Sequence, residues 1–417
     1  MTPALHDIRA RITAIPLANI ASIAKQAFDP AADIIPLWFG EGDVPTPTFI
    51  GTAAAAAIAD GQTFYTHQNG TPKVRQTLAA YYARLLGREI GPDRITLTSG
   101  GMPAIMLGVQ ALVGEGDNVI VIDPVWPNIG GIVRIAGGEV RSVRMDLGAD
   151  GWVLDLDKVA AACDARTKLI FYASPSNPTG GILPLAMQAE LIAFARARGV
   201  WIMADEVYHR LVFSEAMGPS ILSIADPEDR VLVINSFSKS YAMTGWRLGW
   251  MVHPPSLGPT MAMLVQYTSS GTTTFLQAAA AAAIAEGEAF VEWMNGYCAA
   301  GMEIVCSAFE TMGRVRMGPR PRAAMYVFFQ IDGMPDSRAA CLDVLERARV
   351  GLAPGYFFGN GSDSFLRVCV CRSPEALGEA MERLRPILSC RPRPPRRPRP
   401  PSRARRDWHT RLPSGRS

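Results

Sequence analysis

No apolar run in this sequence approaches the ~20 residues that a membrane-spanning helix needs. The hydrophobic stretches are short and interrupted by glycine, proline or charge, so no membrane span is expected. The first fifteen residues carry His6, Asp7, Arg9 and Arg11 and lack the apolar core of a signal peptide, so a cytoplasmic location is expected. Cysteine is sparse, seven in 417 residues, and no pair has CxxC spacing. Cys369 and Cys371 share a strand face by period 2, but two thiols make a poor metal site. Reduced, mostly buried thiols and no metal are the expectation. No internal repeat is visible.

A surplus of positive charge is also missing from the body of the chain. The net charge of +3 misleads, because residues 391–417 hold ten Arg and one Asp. Residues 1–390 keep 31 basic and 37 acidic groups, a net −6, and so offer no basic footprint for nucleic acid. The tail that begins Arg391-Pro-Arg-Pro-Pro-Arg-Arg397 is Pro/Arg low complexity, which cannot pack a core and is expected to be disordered. Acidic partners or RNA are conceivable ligands for it. The abrupt change of composition at Cys390 favours an end without function.

What is present is 48% hydrophobic and 19% charged. That is the balance of a soluble globular chain, long enough for two domains with a large core. Residues 1–45 read as an N-terminal arm, with a helical piece over 19–28 and an extended run over 34–39. Helices are predicted over 48–60 and 72–86. The second puts Val74, Leu78, Tyr81, Tyr82 and Leu85 on one face and stops at Gly87. From residue 94 short apolar strands alternate with helices. The strands fall over 94–98, 118–122, 168–173, 200–204, 230–234 and 248–252, the helices over 102–113, 185–198 and 273–285. Strands apolar nearly throughout imply a sheet covered on both sides. A long helix from Phe290 then leads to strands over 324–330 and 365–370 and helices over 336–348 and 374–388, a second and smaller α+β unit.

In open α/β sheets, ligands bind beyond the carboxyl ends of the strands. The stretch from Asn235 to Trp250 sits at such an end and sets Ser236, Ser238, Lys239 and Arg247 in otherwise apolar, Gly-containing sequence. Burial and neighbouring cations depress a lysine pKa, which an amine nucleophile for carbonyl chemistry needs. Ser236, Ser238 and Arg247 offer hydroxyls and a donor fork to a phosphate dianion. A Schiff-base lysine beside a phosphate cradle points to pyridoxal 5'-phosphate (PLP); a surface Ser/Lys turn is the plain alternative. Other strand ends bear on the choice. Gly100 and Gly101 open a helix near Met102, where free N–H groups and the helix dipole receive phosphate. Asp205 is placed to pair with a protonated pyridine nitrogen and keep the ring an electron sink. Trp126, between two prolines, can stack on the ring, and Asn177 and Tyr208 can bond its phenolic oxygen. Taken singly, each residue is also ordinary cap, turn or core chemistry. Their occurrence in order, each at a strand end, carries the argument.

With these motifs assembled, the chain resembles the class I (aspartate/aromatic-type) PLP-dependent aminotransferases of fold type I, over roughly residues 15–390. The motifs are Tyr65 with Gly70, Thr98-Ser-Gly-Gly101, Asn177-Pro-Thr-Gly180, Asp205-Glu-Val-Tyr208, Ser236-Phe-Ser-Lys239, Met243-Thr-Gly-Trp-Arg-Leu-Gly249 and Phe365-Leu-Arg-Val368. The resemblance implies an α/β fold: a large PLP-binding domain with a mixed, mostly parallel sheet covered by helices, and a smaller α+β domain built from both chain ends. The implied divisions are 1–45 for the arm and part of the small domain, 46–289 for the large domain, 290–390 for the small domain and 391–417 for the tail.

It also implies roles. Lys239 is the Schiff-base and proton-transfer residue, Asp205 pairs with the pyridinium, Asn177 and Tyr208 contact the phenolic oxygen, and Trp126 stacks on the ring. Gly100, Gly101, Met102, Ser236, Ser238 and Arg247 hold the phosphate, and Tyr65 reaches the phosphate of a neighbouring subunit, making a homodimer with shared sites. Arg367 clamps the substrate α-carboxylate with Asn177 assisting and the Gly40 backbone close by. The implied reaction is ping-pong transamination between an L-amino acid and a 2-oxo acid. A C–S lyase, a cyclopropane-forming synthase or an oxidase-like enzyme on the same scaffold remains open. An aminotransferase-like DNA-binding regulator is disfavoured, since about 45 residues before Pro45 are too few for such a domain. Two departures stand out: Gly42 where the family usually has proline, and Met102 where some aspartate-specific relatives carry lysine. Tyr65, Trp38, Met102, Trp126 and the loop 269–274 are expected to line the side-chain pocket, with room for a medium or aromatic group.

Overall fold

A computed structural model describes residues 9–15 and 33–389; the helical piece expected over 19–28 and the tail 391–417 lie outside them. Seven strands form the principal sheet: β1 Ile95–Thr98, β2 Asn118–Asp123, β3 Glu139–Arg144, β4 Thr167–Ala173, β5 Trp201–Asp205, β6 Val231–Ser236 and β7 Gly249–Val252. Their order is β1-β7-β6-β5-β4-β2-β3. Every pairing is parallel except those of β7, which runs antiparallel to both β1 and β6.

The apolar runs explain why this sheet is covered twice. Successive side chains of a strand point to opposite faces, and here they enter different cores. Ile120, Ile122, Ile170 and Tyr172 belong to one; Val119, Val121, Leu169 and Phe171 belong to the other. The first core is closed by helices Thr48–Ala59, Pro72–Leu86, Leu185–Arg198 and Thr274–Glu286, the second by Gly101–Leu112, Asn128–Ala136 and Gly258–Thr268.

A four-stranded antiparallel sheet follows: β8 Val315–Met317, β9 Tyr326–Ile331, β10 Ala353–Pro354 and β11 Phe365–Cys369, in the order β8-β9-β11-β10. Helices Glu288–Thr311, Ser337–Ala348 and Pro374–Leu388 pack into its core through residues such as Met302, Val344 and Leu384. The segment Ile35–Pro36 pairs in parallel with Val350–Gly351, so sequence from near both ends of the described chain joins here. The extended run expected over 34–39 yields only this two-residue strand, since Pro36 has no N–H to extend a ladder. Among the described residues no helix is long and apolar enough to cross a membrane.

The reversed strand positions the site. Gly249 is in register with Thr98 on one side and Ser236 on the other, so β7 begins at the edge where β1 and β6 finish. That brings Arg247, two residues earlier, against the loops that follow those strands. A Cβ on Gly249 would lie 2.6 Å from the Gly100 carbonyl carbon and 2.8 Å from Asn235 O, inside van der Waals contact, so the three backbones can converge only over glycine.

Candidate active site

A cavity of about 400 Å3 opens at the carboxyl edge of the principal sheet and is closed on its far side by β9, β11 and the segment 38–40. It brings together Gly40, Gly101, Met102, Trp126, Asn177, Asp205, Tyr208, Ser236, Ser238, Lys239, Arg247 and Arg367. Gly100 stands behind them as the N-cap of helix Gly101–Leu112, at φ +113°, a conformation few L-residues tolerate. A Cβ there would come within 2.7 Å of Arg247 Nη2. The guanidinium therefore lies directly on the turn that opens this helix, whose first residues, Gly101 and Met102, line the cavity. Ser236 Oγ lies 2.8 Å from Ser238 Oγ and accepts from Ser238 N at 3.1 Å, which sets both hydroxyls beside the same helix start.

Lys239 follows β6 and donates from Nζ to Gly40 O at 2.5 Å. Burial holds its amine below the ordinary value, with the nearby Arg367 adding to the effect and Glu41 opposing it. Asp205 ends β5. Burial pushes its carboxyl up to about 6, against the pull of a Val207 N–H bond (3.1 Å) and of Lys239. Tyr208 Oη sits 2.6 Å from Tyr326 Oη, and burial keeps the Tyr208 phenol well above its usual range.

Arg367, on β11, is only 3% exposed. It donates from Nη1 to Asn177 Oδ1 at 2.8 Å and from Nη2 to Trp38 O. Its guanidinium carbon lies 4.4 Å from the ring centre of Tyr326 and 5.0 Å from that of Phe358, and its Nε has no partner. Among the described residues no carboxylate forms an ion pair with it. A buried cation held only by neutral acceptors and ring faces is costly, and an entering carboxylate relieves that cost through a bidentate pair.

A family model for class I and II aminotransferases matches residues 34–384. The chain belongs to this family. Aspartate aminotransferases from Thermotoga maritima and Pyrococcus horikoshii are 30% and 31% identical to it, covering 91% and 92% of this chain and 99% and 97% of theirs. A solved Thermus thermophilus aspartate aminotransferase variant superposes with a TM-score of 0.85 at 30% identity, covering 91% of this chain and 99% of its own. An aromatic aminotransferase from Pyrococcus horikoshii gives 0.81 at 29% identity, covering 88% and 98%. The aminotransferase fold is thus the fold type I arrangement expected from the sequence.

Class I aminotransferases use PLP, and the residues present suit that group. Asp205 is a buried carboxyl raised by desolvation and has no ion-pair partner among the described residues, and a pyridinium would provide one. The turn at Gly100, free of a Cβ and capped by Arg247, has the donors and the room for a phosphate.

Tyr65 is 92% exposed, and neither it nor residues 269–274 are among the residues that line this chain's own cavity. The loop holding Tyr65 is tied to the start of helix Thr274–Glu286, with Thr274 Oγ1 donating to Phe64 O at 2.6 Å. Conversely, Phe39, Ile105, Asn128, Tyr326, Phe357 and Phe358 line the cavity without having been singled out. They lie away from the carboxyl ends of the principal strands, where no local motif marks them: Phe39 in the segment 38–40, Ile105 and Asn128 on helices, Tyr326 at the start of β9, and Phe357 and Phe358 in the short turn Gly355–Phe358.

Below Asp205, the aminotransferase buries Glu206 at 1% exposure. Oε1 accepts from Ser220 Oγ at 3.0 Å and Ile221 N at 3.1 Å, while Oε2 has no partner. Burial raises this carboxyl from 4.5 to about 8. A raised carboxyl favours the protonated folded state. Its stabilising contribution is therefore full below about pH 4.5 and is lost as pH climbs through about 8. Denaturant unfolding of Glu206→Gln should accordingly show a flatter stability profile over that window, by on the order of a few kcal/mol. A profile parallel to the wild type would remove Glu206 as its source.

Proposed function

We propose that this protein is a PLP-dependent aminotransferase that moves the amino group of an L-amino acid to a 2-oxo acid in two half-reactions. The observation that carries the reading is the meeting of Lys239, Asp205 and the counter-ion-free Arg367 in one cavity. When bound, the cofactor supplies an electrophilic carbonyl and an electron sink. Asp205 holds the proton on the ring nitrogen that makes the sink effective. Lys239 is the amine the donor displaces; burial lowers its pKa, which favours its acting as the base that takes the α-proton and passes it on. Arg367 binds the α-carboxylate. Because Asn177 Oδ1 is occupied by Arg367, its Nδ2 is left to donate to the phenolic oxygen beside Tyr208. Trp126 stacks on the ring. The N–H groups of Gly100, Gly101 and Met102, with Ser236, Ser238 and Arg247, hold the phosphate. Gly40, whose carbonyl takes Lys239 Nζ, bounds the carboxylate end.

Tyr65, so exposed in its own chain, serves the phosphate of a second copy, which makes the working unit a homodimer. Unpaired, mostly buried cysteines among the described residues support a cytoplasmic enzyme. The relatives named for aspartate support an L-amino acid donor and a 2-oxo acid acceptor.

The test is acceptor dependence. With amino donor alone the PLP-loaded protein should form one oxo acid per site and stop; adding a 2-oxo acid should restore continuous turnover. Sustained oxo acid release without an acceptor would favour a lyase or oxidase-like reaction and overturn the reading.

A further inference from the structure

We infer that the amino donor carries a bulky apolar side chain, branched aliphatic, thioether or aromatic, and not a second carboxylate. The inference rests on the aminotransferase reading, because that reading fixes two of the three non-hydrogen substituents on the α-carbon. The carboxylate goes to Arg367, and the amine takes the place that Lys239 Nζ gives up. The remaining substituent meets other parts of the wall, which are largely apolar and include Phe39, Met102, Ile105, Phe357 and Phe358. Of the polar side chains left there, Tyr326 Oη is paired with Tyr208 Oη, and Asn128 turns its amide toward the Met102 sulfur at 3.8 Å.

The cations of the cavity are all committed. Lys239, Arg247 and Arg367 are the basic residues that line it among the described residues. The first is at Gly40 O, the second lies on Gly100, and the third is engaged by Asn177 and Trp38. Phe64, Tyr65 and Tyr267 are large and exposed, and the homodimer proposed above would set the segments that carry them against a second copy. Residues 63–70 and 265–276 contain no Lys or Arg, so a dimer partner adds no cation from them. A distal carboxylate would therefore lose its hydration against aromatic and thioether surface with one neutral amide in return, which strongly disfavours it. An apolar side chain instead gains by leaving water there, and the thioether and ring edges of Met102 and Phe357 adapt to varied shapes.

Single-turnover half-reactions of the PLP-loaded enzyme test this. L-Leucine, L-methionine, L-phenylalanine, L-aspartate and L-glutamate are compared by the rate at which each converts the cofactor absorbance. The expected result is a kcat/KM for the best apolar donor about 100-fold or more above both acidic donors, the range that side-chain burial supplies. Aspartate or glutamate equalling the best apolar donor would overturn the inference and leave transamination standing. A second readout needs no catalysis: calorimetric binding of 3-phenylpropanoate and 4-methylpentanoate against succinate. The apolar acids should bind about 10-fold tighter or more. Tighter succinate would overturn the inference. If no amino acid converts the cofactor, the aminotransferase reading fails, and the order of these three acids still decides the nature of the wall.

Discussion

Lys239→Ala should reduce turnover by at least about 10^4-fold, the upper range for a positioned acid–base residue, with the fold intact. The expectation of an intact fold comes from the contacts: the side chain makes one hydrogen bond, to Gly40 O, and lines a cavity rather than filling a core. No other amine takes its place. Arg247 and Arg367 are the other basic groups that line the cavity among the described residues, and an arginine does not give up its proton. Steady-state rates with matched circular dichroism spectra check both halves of the prediction. A variant keeping more than about a hundredth of the wild-type rate would mean that the proton moves through some other group, since that exceeds any residual expected without the acid–base residue.

Arg367→Lys is the second large effect, and it should fall on the substrate rather than on the cofactor. The guanidinium makes two bonds in one plane, to Asn177 Oδ1 and Trp38 O, between the faces of Tyr326 and Phe358. A lysine keeps the charge, but it cannot reproduce the fork and does not fit between two ring faces as a flat group does. Loss of a bidentate, desolvated charge pair costs roughly 2–5 kcal/mol, so kcat/KM for the donor should fall by about 10^2-fold or more. Affinity for PLP, measured by titrating the stripped enzyme, should change little. Equal losses in both would move Arg367 from substrate binding to general support of the site.

The principal strands could be read from the sequence because their apolar runs are nearly unbroken and end at Gly, Asp, Ser or Pro. Each boundary falls within about two residues of the observed one. β3 was missed for the converse reason. Glu139–Arg144 is an edge strand with one neighbour and charged alternate positions, so its pattern resembles a loop. Helix Asn128–Ala136 was hidden by Gly130 and Gly131, which lower helical preference and break the period. In the site, the residues at the strand ends were legible because the fold collects them at one edge. Tyr326 was not. Its hydroxyl meets Tyr208 across 118 positions of chain, and nothing local to Met325 or Tyr326 anticipates that contact. Tyr65 was legible as a motif, but its near-complete exposure depends on the tertiary structure.

The reversal of β7 has a mechanical consequence. Lys239 and Arg247 sit on one short connection whose two ends are pinned to adjacent strands, β6 and β7. The spacing between the amine and the phosphate anchor is thus set within one sheet. Arg367 is carried by the other sheet, on β11. Slight tilting of one sheet against the other would widen or narrow the gap that a substrate must bridge, while the cofactor's seat kept its shape. On the proposed roles, substitutions at the seam between the sheets should therefore change the capture of substrate more than the retention of cofactor.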